Sequence, residues 1–259
     1  MRLLFLKIGL IFSQFIAFPI SGSYSIYENN YLENEVILTS SFEKDAVSVT
    51  DISTVNLALR NSLVKGNYKE AKKLADSIGS ILRKVRPDST ILAESLYFLG
   101  IYYKVTDNID STLFYLEKVI SIKEKTGERD SIYSKALYNL GGLYARMGLF
   151  RQHEDVTLKA LDVEKMNYGE DSPELISTYG SLITAYIQLN QYKKAIELTD
   201  LAYRIAREHE KDALPSHIGF LYNNIGVLYS SMRDYSKSII FLIRQRNFIP
   251  EHLMSAKRL

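Results

Sequence analysis

The stretch Leu137-Tyr-Asn-Leu-Gly-Gly-Leu-Tyr144, followed by Gly148 and Phe150, recurs along the chain at a nearly constant interval. Each copy contains a small or aliphatic residue directly before a central glycine or aliphatic residue, and in four copies a Tyr follows three residues later. The central positions lie 41 to 43 residues apart and are Leu59, Gly100, Gly141, Ile183 and Gly226. A fixed period of this size predicts a solenoid in which each unit covers the apolar face of its neighbour.

Each unit is predicted to contain two helices. Apolar residues recur at helical spacing around the central position, as in Leu96, Leu99 and Tyr103. Glycine within a helix is about 1 kcal/mol less favourable than alanine, so we expect the second helix to approach closely at Gly100 and Gly141. The predicted turns between the two helices are Gly66-Asn67, Gly148-Leu149, Asn190-Gln191 and Arg233-Asp234. The residues predicted to separate the units are Pro87, Gly127, Pro173, Pro215 and Pro250.

The third unit, from Leu137 to Pro173, resembles the repeats of kinesin light chains and their bacterial relatives, which are tetratricopeptide repeats. The resemblance covers about residues 50 to 256. The standard tetratricopeptide unit has about 34 residues, and the longer period here lies in the second helix and its join to the next unit. The resemblance implies an all-α fold, a right-handed superhelical solenoid of about five helix–turn–helix repeats. A non-repetitive helical bundle with coincidental Tyr spacing is the alternative.

The first 22 residues are typical of an export signal. Arg2 and Lys7 are the charged residues of this segment, the apolar stretch Ile8–Ile20 follows, and small residues surround Gly22. An uncleaved membrane anchor is the alternative, although a spanning helix needs about 20 apolar residues and this stretch is shorter. We therefore expect residues 1–22 to be a signal peptide and the mature protein to be exported, in the periplasm or outside a bacterial cell, without a membrane span.

The remaining chain divides into three segments. Residues 23–48 are polar and without helical periodicity, which predicts a linker or weakly ordered segment. Residues 49–248 form the predicted tetratricopeptide repeat domain, and residues 249–259 are an incomplete join or tail. The last predicted helix contains five consecutive apolar residues, Ile239–Ile243, so self-association through this helix is a further expectation.

Composition and motifs favour a binding protein over an enzyme. The chain has 32 Lys and Arg residues against 30 Asp and Glu residues, and removal of the leader leaves the two signs equal, which argues against nucleic-acid binding. The absence of cysteine excludes disulfides, thiol catalysis and thiolate metal sites. The four histidines are scattered, and neither a phosphate-binding loop nor a nucleophile elbow occurs. We expect no catalytic activity, no cofactor and no metal; His153 is interpreted as a packing residue.

In tetratricopeptide solenoids the first helix of each repeat lines a concave groove, and the resemblance implies that a peptide or protein ligand binds there. The side chains expected on this face by helical geometry are Tyr97, Phe98, Ile101, Lys104, Tyr138, Asn139, Arg146, Ser181, Gln188, Asn223 and Asn224. Asn139 and Asn224 are suited to bonding an extended peptide backbone. Two cations are few for a carboxylate clamp, so an apolar or aromatic anchor with some negative charge is the expected ligand chemistry.

The leading hypothesis is therefore an exported protein-interaction scaffold. The first alternative is that the chain is the truncated sensory or regulatory half of a longer protein. That protein would carry a C-terminal protease, kinase or DNA-binding domain. A structural part of a surface or secretion assembly is the second alternative.

Overall fold

The computed structural model describes residues 49–248, so the predictions for residues 1–22, 23–48 and 249–259 lie outside the described residues. The described part contains ten α-helices, one short 3₁₀ helix and no strand. The α-helices are α1 Val49–Val64, α2 Tyr68–Lys84, α3 Ser89–Val105, α4 Ile109–Thr126, α5 Ser131–Arg146, α6 Phe150–Tyr168, α7 Ile176–Gln188, α8 Tyr192–Glu208, α9 Pro215–Ser231 and α10 Tyr235–Arg246. None of these helices is long and apolar enough to cross a lipid bilayer.

The helices form five consecutive pairs, which we number as repeats 1 to 5. The odd-numbered helix of each pair is called the A helix and the even-numbered helix the B helix. Each A helix packs against its own B helix and against the A helix of the next repeat. The predicted all-α repeat solenoid is therefore the observed architecture.

The predicted close approach of the A and B helices is confirmed at the central glycines. A Cβ atom added to Gly141 would lie 2.6 Å from Oγ1 of Thr157 on the B helix of the same repeat. One added to Gly226 would lie 2.7 Å from Cδ2 of Leu242. Both distances are shorter than side-chain contacts allow, so glycine permits the two helices of a repeat to touch at this level.

The turn between the A and B helices has the same backbone conformation in all five repeats. Its central residue has a positive φ, of 65° at Gly66, 59° at Asp107, 73° at Gly148, 57° at Asn190 and 64° at Arg233. Four of these turns were predicted from the sequence. The turn at Asp107 was not among those predicted, although Asp and Asn tolerate the left-handed conformation better than most side chains.

The apolar core divides into two large clusters. The first joins repeats 1 to 3 and includes Leu59, Leu99 and Leu116. The second joins Leu161 of repeat 3 to repeats 4 and 5 and includes Ile183. A small third cluster lies within repeat 3 and consists of Tyr133, Leu137, Ala160 and Val163. Many of the signature residues that define the period are thus core residues.

Candidate functional site

The A helices carry the predicted ligand-binding face, and the structure divides its eleven predicted residues into two groups. The first group has partly or fully exposed side chains and consists of Ile101, Lys104, Tyr138, Arg146, Gln188 and Asn223. The second group is buried and consists of Tyr97, Phe98, Asn139, Ser181 and Asn224. The first group remains a candidate binding face, which we call the A-helix face.

The expectation of exposure is wrong for the second group because consecutive repeats pack closely. Phe98, Asn139, Ser181 and Asn224 all stand two residues before the central position of their repeat. At this position the side chains of Asn139, Ser181 and Asn224 each bond to the preceding repeat. The side of the A helix that was assigned to a ligand therefore faces the preceding repeat at Asn139, Ser181 and Asn224.

Asn139 uses its amide for contacts within the solenoid. Its Nδ2 donates to the carbonyl oxygen of Lys135 at 2.8 Å and to the hydroxyl of Tyr97 at 3.4 Å, while Lys104 donates to its Oδ1. Tyr97 and Lys104 belong to α3, the A helix of repeat 2. Asn139, with 2% of its surface exposed, therefore fastens two A helices together and has little capacity left for a ligand.

Asn224 has the same role between repeats 4 and 5. Its Nδ2 donates to the carbonyl oxygen of Gly180 on α7 at 2.9 Å. In the contact between repeats 3 and 4, the hydroxyl of Ser181 lies 2.8 Å from Nε2 of His153. Burial lowers the pKa of His153 to about 4, so the ring is neutral at neutral pH and packs as the sequence interpretation expected.

Two charged residues that the sequence interpretation did not single out occupy equivalent places in repeats 2 and 3. Lys123 on α4 and Glu164 on α6 are separated by one repeat period and are both buried. The equivalent residues of repeats 1 and 4 are the apolar Leu82 and Ala206. An alignment of the repeats could have revealed these two residues, because each places a charge where repeats 1 and 4 have an apolar side chain.

Lys123 lies in the 2/3 joint, where α4 meets the loop before α5. Its Nζ bonds to Glu128 and, at 2.7 Å, to Oδ2 of Asp130. Burial alone would lower the pKa of Lys123, but the bonds to the two carboxylates outweigh it and raise the pKa above its ordinary value. Asp130 also caps α5 by accepting the Tyr133 amide, and the pKa of Asp130 is lowered because these bonds outweigh its burial.

Glu164 lies in the 3/4 joint, where α6 meets α7, and is less well partnered. Burial raises the pKa of Glu164 to about 7, and the nearby Thr178 hydroxyl and Lys135 oppose the rise only in part. Its Oε2 has no hydrogen-bond partner among the described residues. Burial also lowers the pKa of Lys135, and the Arg60 cation of α1 lowers it further. Cations of repeats 1 and 3 therefore act on each other, two repeats apart.

Within residues 49–248, no three His, Asp or Glu side chains gather in a way that would hold a metal ion. The polar side chains of the A-helix face are instead suited to hydrogen bonds and ion pairs with a macromolecule. Both of its cations also have partners within the chain, since Lys104 donates to Asn139 and Arg146 pairs with Asp107 in the turn between α3 and α4.

The chain is similar to several solved helical-repeat structures. It matches BtubC (BKLC) from P. vanneervenii with a TM-score of 0.65 and 19% identity, over 93% of this chain and 92% of BtubC. It matches a putative kinesin light chain with nearly identical TPR-like repeats from Podosopora anserina with a TM-score of 0.63 and 16% identity, over 82% of this chain and 99% of that one. The chain has a tetratricopeptide-like fold.

No protein-family model matches the sequence, and no curated protein matches it. The similarity to solved structures therefore concerns the fold, whose repeats present an extended surface. Which surface binds, and what it binds, depends on the individual side chains.

Proposed function

We propose that this protein is an exported scaffold that binds a peptide or protein on its A-helix face. The observation that carries the proposal is the group of partly exposed residues in repeats 2 and 3, where Ile101 and Tyr138 lie among the cations Lys104 and Arg146. An apolar or aromatic anchor of a ligand would contact Ile101 and Tyr138. An acidic side chain of the ligand would be attracted by the charge of Lys104, which also donates to Asn139. Buried Asn139 supports this surface from beneath and does not contact the ligand.

Site-directed photocrosslinking tests this proposal. A crosslinker at Tyr138 should capture one defined partner in the producing cell, and a crosslinker at Lys159 on the outer face of α6 should not. With that partner purified, Ile101→Ser with Tyr138→Ser should weaken binding at least tenfold. Leu158→Ser, on the exposed outer face of α6, is the matched control. Equal losses in the two variants, or no loss in either, would place the binding site elsewhere.

Export is the second part of the proposal and rests on residues 1–22. Amino-terminal sequencing of protein recovered outside the cytoplasm should begin near Ser23. A chain that retains Met1 and sediments with membranes would show instead that this segment is an anchor.

A further inference from the structure

The last helix of the described chain, α10, exposes a row of large apolar side chains. The exposed fractions are 60% for Tyr235, 41% for Ile239, 51% for Ile240 and 63% for Ile243. Residues 235, 239 and 243 are four apart, and residue 240 lies beside them, so the four side chains share one side of the helix. We call this row the α10 ridge.

Part of the α10 ridge lies where a following repeat would not cover it. Ser238 is buried and stands one repeat period after Ala195, which is also buried, so α8 and α10 align at these residues. In this alignment Ile240 and Ile243 correspond to positions that are exposed on α2, α4, α6 and α8, although another repeat follows each of those helices. The equivalents of Ile240 are Lys73, Phe114, Asp155 and Glu197. The equivalents of Ile243 are Asp76, Glu117, Leu158 and Asp200.

Six of those eight equivalents are charged, as expected for side chains that remain in water. Ile240 and Ile243 therefore depart from the pattern of their own repeat array. A following repeat would leave these two side chains exposed, as it leaves their equivalents, so they call for a different apolar environment on the outer side of α10.

The rim of the α10 ridge is basic. The helix contains Lys237, Arg244 and Arg246 and no acidic residue, and Arg233 precedes it. The nearby acid is Asp234, which pairs with Lys237 at 3.5 Å. A second copy of the chain would bring two such basic rims together, so charge disfavours the self-association expected from the sequence.

We propose that α10 docks on the surface of an anionic lipid membrane. A row of exposed apolar side chains with a basic rim matches a lipid surface, which offers apolar acyl chains beneath anionic headgroups. Ile240 and Ile243 enter the boundary between headgroups and acyl chains, and Tyr235 lies at headgroup level. Arg233 and Arg246 meet the lipid phosphates, so repeat 5 holds the solenoid at the membrane.

Vesicle co-sedimentation tests the proposal with protein recovered from the exporting host. The chain should bind vesicles of equal parts phosphatidylglycerol and phosphatidylcholine more strongly than vesicles of phosphatidylcholine alone. Ile240→Asp with Ile243→Asp should weaken binding to the anionic vesicles at least about tenfold, because two apolar side chains no longer leave water. Arg246→Gln should weaken it about fivefold, and added salt should reduce that difference.

Leu158→Asp is the matched control, since it makes the same change at the equivalent exposed position of repeat 3. It should bind vesicles as the unaltered chain does, and thermal melting of each variant verifies its fold. Equal binding by the unaltered chain and the double Ile variant overturns the proposal. A failure of the unaltered chain to bind anionic vesicles also overturns it. Light scattering would then distinguish a dimer that the Ile changes dissociate from a monomer whose α10 ridge is protected by residues 249–259.

Discussion

The 2/3 and 3/4 joints place opposite charges at the same position of the repeat, and only the first joint provides full partners. Lys123 in the 2/3 joint bonds to two carboxylates, and its pKa is raised, so the charged form is favoured. Glu164 in the 3/4 joint has an unpartnered oxygen, and its pKa is raised to about 7, so the charged form is disfavoured. A buried charge is tolerated only as far as its neighbours satisfy it.

The repeats on either side show that the fold does not need a charge at this position. Leu82 in repeat 1 and Ala206 in repeat 4 occupy it with apolar side chains. The same position of the repeat thus accepts a charged or an apolar side chain. Substitutions at Lys123 and Glu164 should therefore change the stability of the protein and its pH dependence, and should leave the arrangement of the helices unchanged.

The largest expected effect comes from removing both partners of Lys123. Glu128→Gln combined with Asp130→Asn leaves the buried ammonium without a counter-ion and should lower the free energy of unfolding by about 3 to 5 kcal/mol. Asn is as good an N-cap residue as Asp, so the cap of α5 is retained. Urea denaturation measures the change, and Glu170→Gln, a change at an exposed acid after α6, is the control. A loss no larger than that of the control would show that Lys123 does not need its partners.

The second effect is a change in pH dependence at Glu164. Its folded pKa of about 7 lies above the ordinary 4.5, so the folded state keeps a proton that the unfolded state loses between these values. Stability therefore falls as the pH rises from about 4.5 to 7, by up to about 3 kcal/mol. Glu164→Gln cannot ionise, and the difference in unfolding free energy between variant and unaltered chain should grow in favour of the variant across this interval.

His153 and His217 also make stability depend on pH. Their pKa values are lowered to about 4, so they destabilise the fold as the pH falls from 6.5 to 4. Both histidines are present in the Glu164→Gln variant and in the unaltered protein, so the difference between the two profiles removes their contribution. Glu170→Gln, at an exposed acid, is the control and should leave the pH profile unchanged. A parallel profile for Glu164→Gln would mean that Glu164 is ionised in the folded protein at pH 6.

The third and smallest effect is the loss of stability when a polar contact between neighbouring repeats is removed. Asn139→Ala removes bonds from α5 to Tyr97 and Lys104 of α3 and should cost about 2 kcal/mol. Ser181→Ala removes one contact to His153 and should cost about 1 kcal/mol. Thermal unfolding measures both, with the exposed Gln188→Ala as control. If Asn139→Ala stays within about 0.5 kcal/mol of the unaltered chain, its side chain belongs to an exposed groove, as the sequence alone predicted.

The repeat pattern predicted the helices well because it consists of core residues. Gly141 and Gly226 indicated where two helices touch, and the period indicated which helices are neighbours. The same pattern could not show how far the next repeat reaches over each A helix, so Asn139 and Asn224 were predicted to be exposed. The pairing of Lys123 with Asp130 was equally hidden, since it depends on the path of a loop that carries no repeat signature.

The division of the apolar core into two clusters has a consequence for cooperativity. In a linear array, each repeat is stabilised mainly by its neighbours, so repeats that share one core cluster are expected to unfold together. The boundary here falls in repeat 3, beside the under-partnered 3/4 joint. We therefore expect repeats 4 and 5 to open as one unit while repeats 1 and 2 stay folded. Amide hydrogen exchange should then separate the chain into two protection classes, and a single unfolding temperature would not describe it.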